Sequence, residues 1–237
     1  MTIGYSAKYK DDFGSESVTI SNDGKVLKMT LRDVEFTGYS FHSFSISSNI
    51  ALPEKAMFHL LEDELCGYLI DCRIPVWLVS RNEISQTLLN AQIEYGKPVE
   101  GHTSFHRQDG TVQEINQQID VEVLKLEIEY QGQTYKSSGK NLYNSFDEQL
   151  AELRDGFPDG LYLKTCWNCA FSDYHPVGSG IFGDLGCFRN TKSEYKRVKD
   201  KRALMLLWSQ RADDVQEVHL CQDFEKRQPG EGGFYVG

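Results

Sequence analysis

Two stretches of apolar–polar alternation constrain this chain more than any other feature. In "LLNAQIEYG", Leu89, Ala91, Ile93 and Tyr95 share one face, and Asn90, Gln92 and Glu94 share the other. Side chains alternate across a strand, so this period of two specifies a half-buried β-strand. In "IDVEVLKLEIEY" the inward set starts as Ile119, Val121 and Val123. It resumes one residue out of phase as Leu124, Leu126, Ile128 and Tyr130. One extra residue in a strand is what a β-bulge supplies, which places a bulge near Val123-Leu124. Gly132 then turns the chain towards "QTYKSS".

Other strands follow from turn chemistry. "SVTISNDGKVLKMTL" sets Asn22-Asp23-Gly24 between two alternating runs. Val18 and Ile20 lie on one face, and Leu27, Met29 and Leu31 on another. Asn and Gly tolerate the positive φ of a tight hairpin. The apolar run Leu65 to Val79 is interrupted by Pro75, which implies an edge or a bend.

The texture changes near residue 140. "NSFDEQLAELRDGFP" reads as a short helix, with Ser145 and Glu148 as a capping box and Gly156 and Pro158 ending it. "GLYLK" reads as a strand. Thr191 and Glu194 repeat the capping signal before "KSEYKRVK". "KRALMLLWSQ" reads as a helix with Leu204, Leu207 and Trp208 on one side, and "VQEVHL" as a strand ending at Cys221. The glycine-rich tail reads as irregular. No helix–strand alternation supports a doubly wound parallel sheet. The expected class is therefore α+β: a mainly antiparallel β body, residues 1–140, followed by a mixed, zinc-stabilised C-terminal segment, residues 141–237. The seam is either a domain boundary or a line inside one packed unit.

The cysteines carry the clearest chemistry. Cys166 and Cys169 have C-x2-C spacing, so both sulfurs can point at one ion. Cys187 and Cys221 follow, with a glycine-rich stretch before Cys187 that lets the chain fold back. Four thiolates complete a tetrahedral zinc shell, and a closed shell of this kind is structural because it leaves no position for water or substrate. A redox pair and inert buried thiols are the competing readings. His175 and His219 are near enough in sequence to replace one thiolate. Cys66 and Cys72, in the apolar run before Pro75, read as core residues.

Charge and hydropathy bound the setting. The formal net charge is −10 over 237 residues. No apolar stretch approaches the ~18–20 residues that cross a bilayer, and "MTIGYSAKYKDDFGSE" lacks the apolar core of a signal peptide. The expected location is cytoplasmic, where cysteines are reduced or metal-bound. An acidic chain repels phosphate backbones and attracts basic partners. Arg189 to Arg202 is the local exception, with seven basic residues against Glu194 and Asp200. Its spacing fits a solvated helix face as well as a phosphate contact.

The segment "LYLKTCWNCAFSDYHPVGSGIFGDLGCFRNTKSEYKRVK", with the later "VQEVHLCQDFEKRQPGEGG", resembles the C-terminal signature of a family of uncharacterised bacterial proteins. That signature combines CxxCAFSDYxPxGxGxFGDLxCFR, VQExxLC and an R-x-x-G tail. The resemblance is close over about the last 80 residues. It is looser over "YKDDFG" and "VTISNDGKVLKMTLRDVEFTG". It implies a bacterial cytoplasmic protein in which Cys166, Cys169, Cys187 and Cys221 act as a set. It also argues against His175 as a ligand, because members of the family carry other residues at that variable position of the signature. It brings no activity.

Motifs for zinc proteases, P-loop nucleotide binding, nucleophile elbows, dinucleotide binding and zinc deaminases are all missing from the sequence. The expected function is that of a non-enzymatic binding protein with a structural zinc site of four cysteines. A toxin-neutralising immunity protein, offering outward Glu122, Glu127 and Glu129 to a basic partner, is its concrete form. The alternatives are an enzyme using Ser172, Asp173, Tyr174, His175 and Asp184 of the Cys169–Cys187 loop, and a nucleic-acid-associated zinc module using the basic run.

Overall fold

The computed structural model describes residues 2–47, 57–81, 83–97, 99–106, 112–118, 121–139, 145–178 and 180–228, with backbone alone for 99–106, 112–118 and 121–122. Most of the strands join one antiparallel sheet. Its strands are β1 (Ile3–Asp11), β2 (Gly14–Asn22), β3 (Leu27–Leu31), β4 (Val34–Gly38), β5 (Ser45–Ile46), β6 (His59–Leu61), β7 (Glu64–Cys66), β8 (Tyr68–Ser80) and β9 (Glu83–Tyr95). After a separate two-stranded ribbon, β10 (Val99–His106) and β11 (Val112–Gln118), come β12 (Val121–Tyr130) and β13 (Gln133–Lys136). The order in space is β13-β12-β9-β8-β1-β2-β3-β4-β5-β7-β6.

The alternation does what its period requires. Leu89, Ala91, Ile93 and Tyr95 are buried, as are Leu124, Leu126 and Ile128. The β12–β9 register shifts between Val121 and Val123, slightly earlier than Val123-Leu124. Ile119 lies outside the described residues. The β2–β3 turn forms as its residues dictate. Asn22 Oδ1 accepts from the Gly24 amide, Asp23 Oδ1 accepts from the amides of Lys25 and Val26, and Gly24 takes φ +100°. β8 runs on through Pro75, which lies at a local edge, as one of the two expectations had it. The pairing of β8 with β1 stops at Arg73 and a different neighbour begins at Leu78, so Pro75 falls in a local gap along that edge. A residue without an N–H is tolerated there.

Helix α1 (Phe146–Asp155) starts at Ser145, whose side chain accepts from the Glu148 amide at 3.3 Å, and is capped by Gly156. It packs Phe146, Leu150 and Leu153 inwards next to β12 and β13. The chain then returns to the body: β14 (Tyr162–Leu163) pairs with Val79 and Leu78 of β8. Beyond it stands a three-stranded sheet of β15 (Ser172–Tyr174), β16 (Leu185–Cys187) and β17 (Asp213–Val215). Short helices α2 (Lys192–Tyr195) and α3 (Lys201–Leu207) complete the segment.

Two local expectations fail. Thr191 stands at the start of α2 but makes no side-chain cap bond; it is Asp200 that caps α3, accepting from the Ala203 amide at 2.8 Å. "VQEVHL" is not a strand. The strand is Asp213–Val215, and residues 216–220 turn, because their polar groups are drawn to other partners.

The apolar core crosses the seam expected near residue 140. Phe41 of the body, Phe146 of α1 and Phe182 of the glycine-rich loop pack with ring centroids 4.7–5.7 Å apart. Buried residues on both sides form one cluster, from Tyr5 to Val218. A smaller cluster around Phe171, Phe188 and Tyr195 belongs to the C-terminal segment alone.

Candidate functional site: the cysteine quartet and its seam

The site is built where the C-terminal segment meets the body. The Lys164 amide donates to the Trp77 carbonyl at 2.8 Å and so delivers Thr165 and Cys166 from the edge of β8. Residues Cys166–Asn168 form a 3-10 turn, closed by the Cys169 amide on the Cys166 carbonyl at 3.1 Å. The Ser172 hydroxyl braces that turn by donating to the Cys166 carbonyl. The amides of Cys166 and Trp167 bond the carbonyls of His219 and Glu217, at 2.8 and 3.0 Å, which brings the approach to Cys221 alongside. Cys187 ends β16, opposite Ser172 on one side and Asp213 on the other. Arg227 closes the far end, donating to the carbonyls of Cys169 and Ser172.

The Cys166 thiol therefore lies within electrostatic reach of Cys169, Cys187 and Cys221, which come from three separate stretches of the sequence. All are reduced; Cys166, Cys169 and Cys187 are buried and Cys221 is half-buried. Burial pushes the Cys166 thiol well up, and the other three thiols add to the shift. Burial also raises Cys187, opposed by Arg189, whose Nη1 lies 3.9 Å from Cys187 Sγ. Among the described residues no three His, Cys, Asp or Glu side chains stand close enough together to hold an ion.

The histidines are engaged elsewhere. His175 packs edge-on against Trp208 at 4.7 Å, and its Nδ1 accepts from the Val177 amide. The His219 ring lies over the β2–β3 turn at Gly24, and burial lowers its pKa. Cys66 and Cys72 sit in the main core, where burial pushes their thiols up to about 11 and about 12.

The polar residues of the Cys169–Cys187 loop hold backbone. Asp173 is fully buried, accepting from the Tyr195 hydroxyl and from the Tyr174 amide. Asp184 accepts from the Gly180 amide. The Tyr174 hydroxyl donates to Glu217 Oε1 at 3.0 Å, while Glu217 Oε2 accepts from the Gly183 amide at 2.8 Å. Glu217 is fully buried; desolvation raises its pKa to about 7 against the pull of those two hydrogen bonds. Asp147 of α1 is also raised by burial, and accepts from Trp167 Nε1 at 2.7 Å. Sequence reasoning gave Glu217 and Arg227 no role and placed Arg189 only in the basic run; the VQE, R-x-x-G and CFR of the C-terminal signature were the signals that pointed to them.

The outward face of β12 is mixed rather than acidic. Glu127 pairs with Lys136 across the β12–β13 ladder at 2.7 Å, and Glu129 is exposed. The side chain of Glu122 lies outside the described residues. In the basic run, Lys192 pairs with Glu225 at 2.7 Å, and the ammonium groups of Lys192 and Lys196 lie over the Phe171 ring.

Fold and site thus define a mainly antiparallel α+β protein with a reduced cysteine quartet at the junction of its two parts. The chain belongs to a family of unknown function, DUF6304, whose model matches residues 3–172. That range takes in the β body, α1, Cys166 and Cys169, and stops short of Cys187 and Cys221. No curated protein and no solved structure matches the chain.

Proposed function

We propose that this chain is a bacterial, cytoplasmic, non-enzymatic binding protein whose cysteine quartet holds one structural zinc ion. Its partner on this reading is a basic protein, and neutralisation of a toxin is the specific form of the role. The observation that carries the metal half is the convergence of Cys166, Cys169, Cys187 and Cys221 at one buried seam, all of them reduced. Four thiols gathered without a disulfide suit a thiophilic ion that closes a tetrahedral shell. The reading requires the sulfurs to draw in further around the ion, and the turn at Cys166–Asn168 is the short element that would adjust.

Support for a non-catalytic role comes from how the loop spends its polar groups. Ser172, Asp173, His175 and Asp184 each bond backbone, which is how such residues shape a glycine-rich loop. The binding half rests on the net charge of −10, which favours a basic partner and fast association. No helix among the described residues is long and apolar enough to cross a membrane.

The test is metal analysis of untagged protein purified with and without added zinc, followed by co-purification from the native bacterium. About one zinc per chain and a basic partner are expected. Four thiols that stay fully reactive after zinc supplementation would reject the metal centre. Turnover of a small molecule dependent on Asp173 or Asp184 would replace the binding role with an enzymatic one.

A further inference from the structure

The proposed zinc centre has a charge problem, and one residue stands where it could be solved. Zinc with four thiolates carries a net charge of about −2. Three of the four cysteines are buried, and burying unpaired charge is costly. Arg189 is the cation at hand. Cys187 ends β16 and Arg189 opens the turn that follows it, two residues on, which leaves the guanidinium beside that thiol. Phe188 between them is fully buried and stacked on Tyr195 at 4.8 Å.

The guanidinium reaches three groups. Nη1 lies 3.9 Å from Cys187 Sγ, Nη2 lies 3.9 Å from Asp213 Oδ2, and the side chain also interacts with the Cys221 thiol. Asp213 is in turn held by Lys25 of the β2–β3 turn at 2.7 Å. A planar fork serves several acceptors at once, which a lysine ammonium on a flexible stem does less well. The Arg189 side chain is about two-thirds covered, with 32% of its surface exposed, so its charge acts close to the sulfurs rather than through bulk water.

We propose that Arg189 is a positioning residue for the metal centre: it supplies the counter-charge for the Cys187 and Cys221 thiolates and, through Asp213 and Lys25, fixes them against the β body. This inference rests on the zinc reading above. Residues that support metal ligands from outside typically change metal affinity by about 10–100-fold when replaced.

The experiment is zinc competition against a chromogenic chelator, using the untagged full chain and its Arg189→Gln and Arg189→Lys variants, with thermal unfolding of each in the zinc-free and zinc-loaded states. Arg189→Gln should weaken zinc binding about 10–100-fold and Arg189→Lys by less. The zinc-loaded form of Arg189→Gln should lose more thermal stability than its zinc-free form. Unchanged zinc affinity in Arg189→Gln, with one zinc bound by the wild type, would overturn the role of Arg189 and leave the metal reading standing. Equal loss of stability with and without zinc would make Arg189 an ordinary packing residue and overturn it too. A wild type that binds no zinc would overturn both.

Discussion

Asn22, in the turn between β2 and β3, donates to Gln216 Oε1 at 2.6 Å across 194 positions of sequence. The same amide also bonds the Tyr5 hydroxyl at 2.5 Å, and its oxygen shapes the turn through Gly24. One buried side chain thus orders a hairpin and pins the approach to Cys221 onto the β body.

Asn22→Ala should therefore destabilise the whole molecule. It leaves Gln216 and Tyr5 buried with a lost partner, and each such loss costs about 1–3 kcal/mol. Urea unfolding should show a single transition with a lowered midpoint and an unchanged slope. Two separated transitions would mean that the parts on either side of residue 140 fold independently.

The quartet is tested by single serine substitutions. Cys221→Ser should lose zinc as fully as Cys166→Ser, because a shell of four thiolates has no spare ligand. Zinc retained in full by Cys221→Ser would remove that residue from the set and bring His219 forward, since His219 precedes it by two positions.

Chelation should loosen the seam more than the large sheet. On the zinc reading the ion and the local fold are coupled, whereas β8, β9 and β12 have their own buried faces. Hydrogen exchange with a strong chelator should speed most at 166–169 and 185–187. Equal loss of protection in β9 would show that the ion supports the entire core.

Glu217 gives a pH dependence of definite sign. Its folded pKa, about 7, lies above the ordinary carboxylate value of 4.5, so its contribution is fully present below pH 4.5 and is lost as pH rises through 7. Asp147, also raised by burial, acts in the same direction. The difference is worth at most about 3 kcal/mol. Glu217→Gln should flatten this part of the profile, so the wild type should lose more stability than the variant between about pH 5 and pH 8. Parallel profiles would show that Glu217 does not titrate in this range.

On the proposed reading of a basic partner, the net charge of −10 predicts salt-sensitive association. Reversing Glu127 and Glu129 to lysine should slow association more than it speeds dissociation. The exposed Glu129 should contribute more, because Glu127 is already paired with Lys136. The check is association kinetics with the co-purified partner at low and high salt; a salt-independent rate that ignores the double reversal would remove this surface from recognition.

The local features are legible in the chain alone. The period of two in Leu89–Tyr95 and Leu124–Ile128 sets which side chains are buried, since a pleated strand leaves them no other choice. Asn22-Asp23-Gly24 and Ser145 fix a turn and a helix start through bonds to amides two or three residues away. The C-x2-C spacing requires a tight turn at Cys166. Long-range packing decided the rest. The pairing of β14 with β8, the gap that accommodates Pro75 and the packing of Phe182 on Phe41 join residues that share no local pattern. Asp213–Val215 is a strand, in place of the expected "VQEVHL", because β16 offers it an edge and Gln216 and Glu217 are drawn to Asn22 and Gly183. Arg189 has its place beside Cys187 from the sequence, two residues on, whereas its meeting with Asp213 of β17 comes from the fold. Alternation and turn chemistry are written in neighbouring residues, whereas a contact across many tens of positions depends on loop closure and shared burial and leaves no period to read.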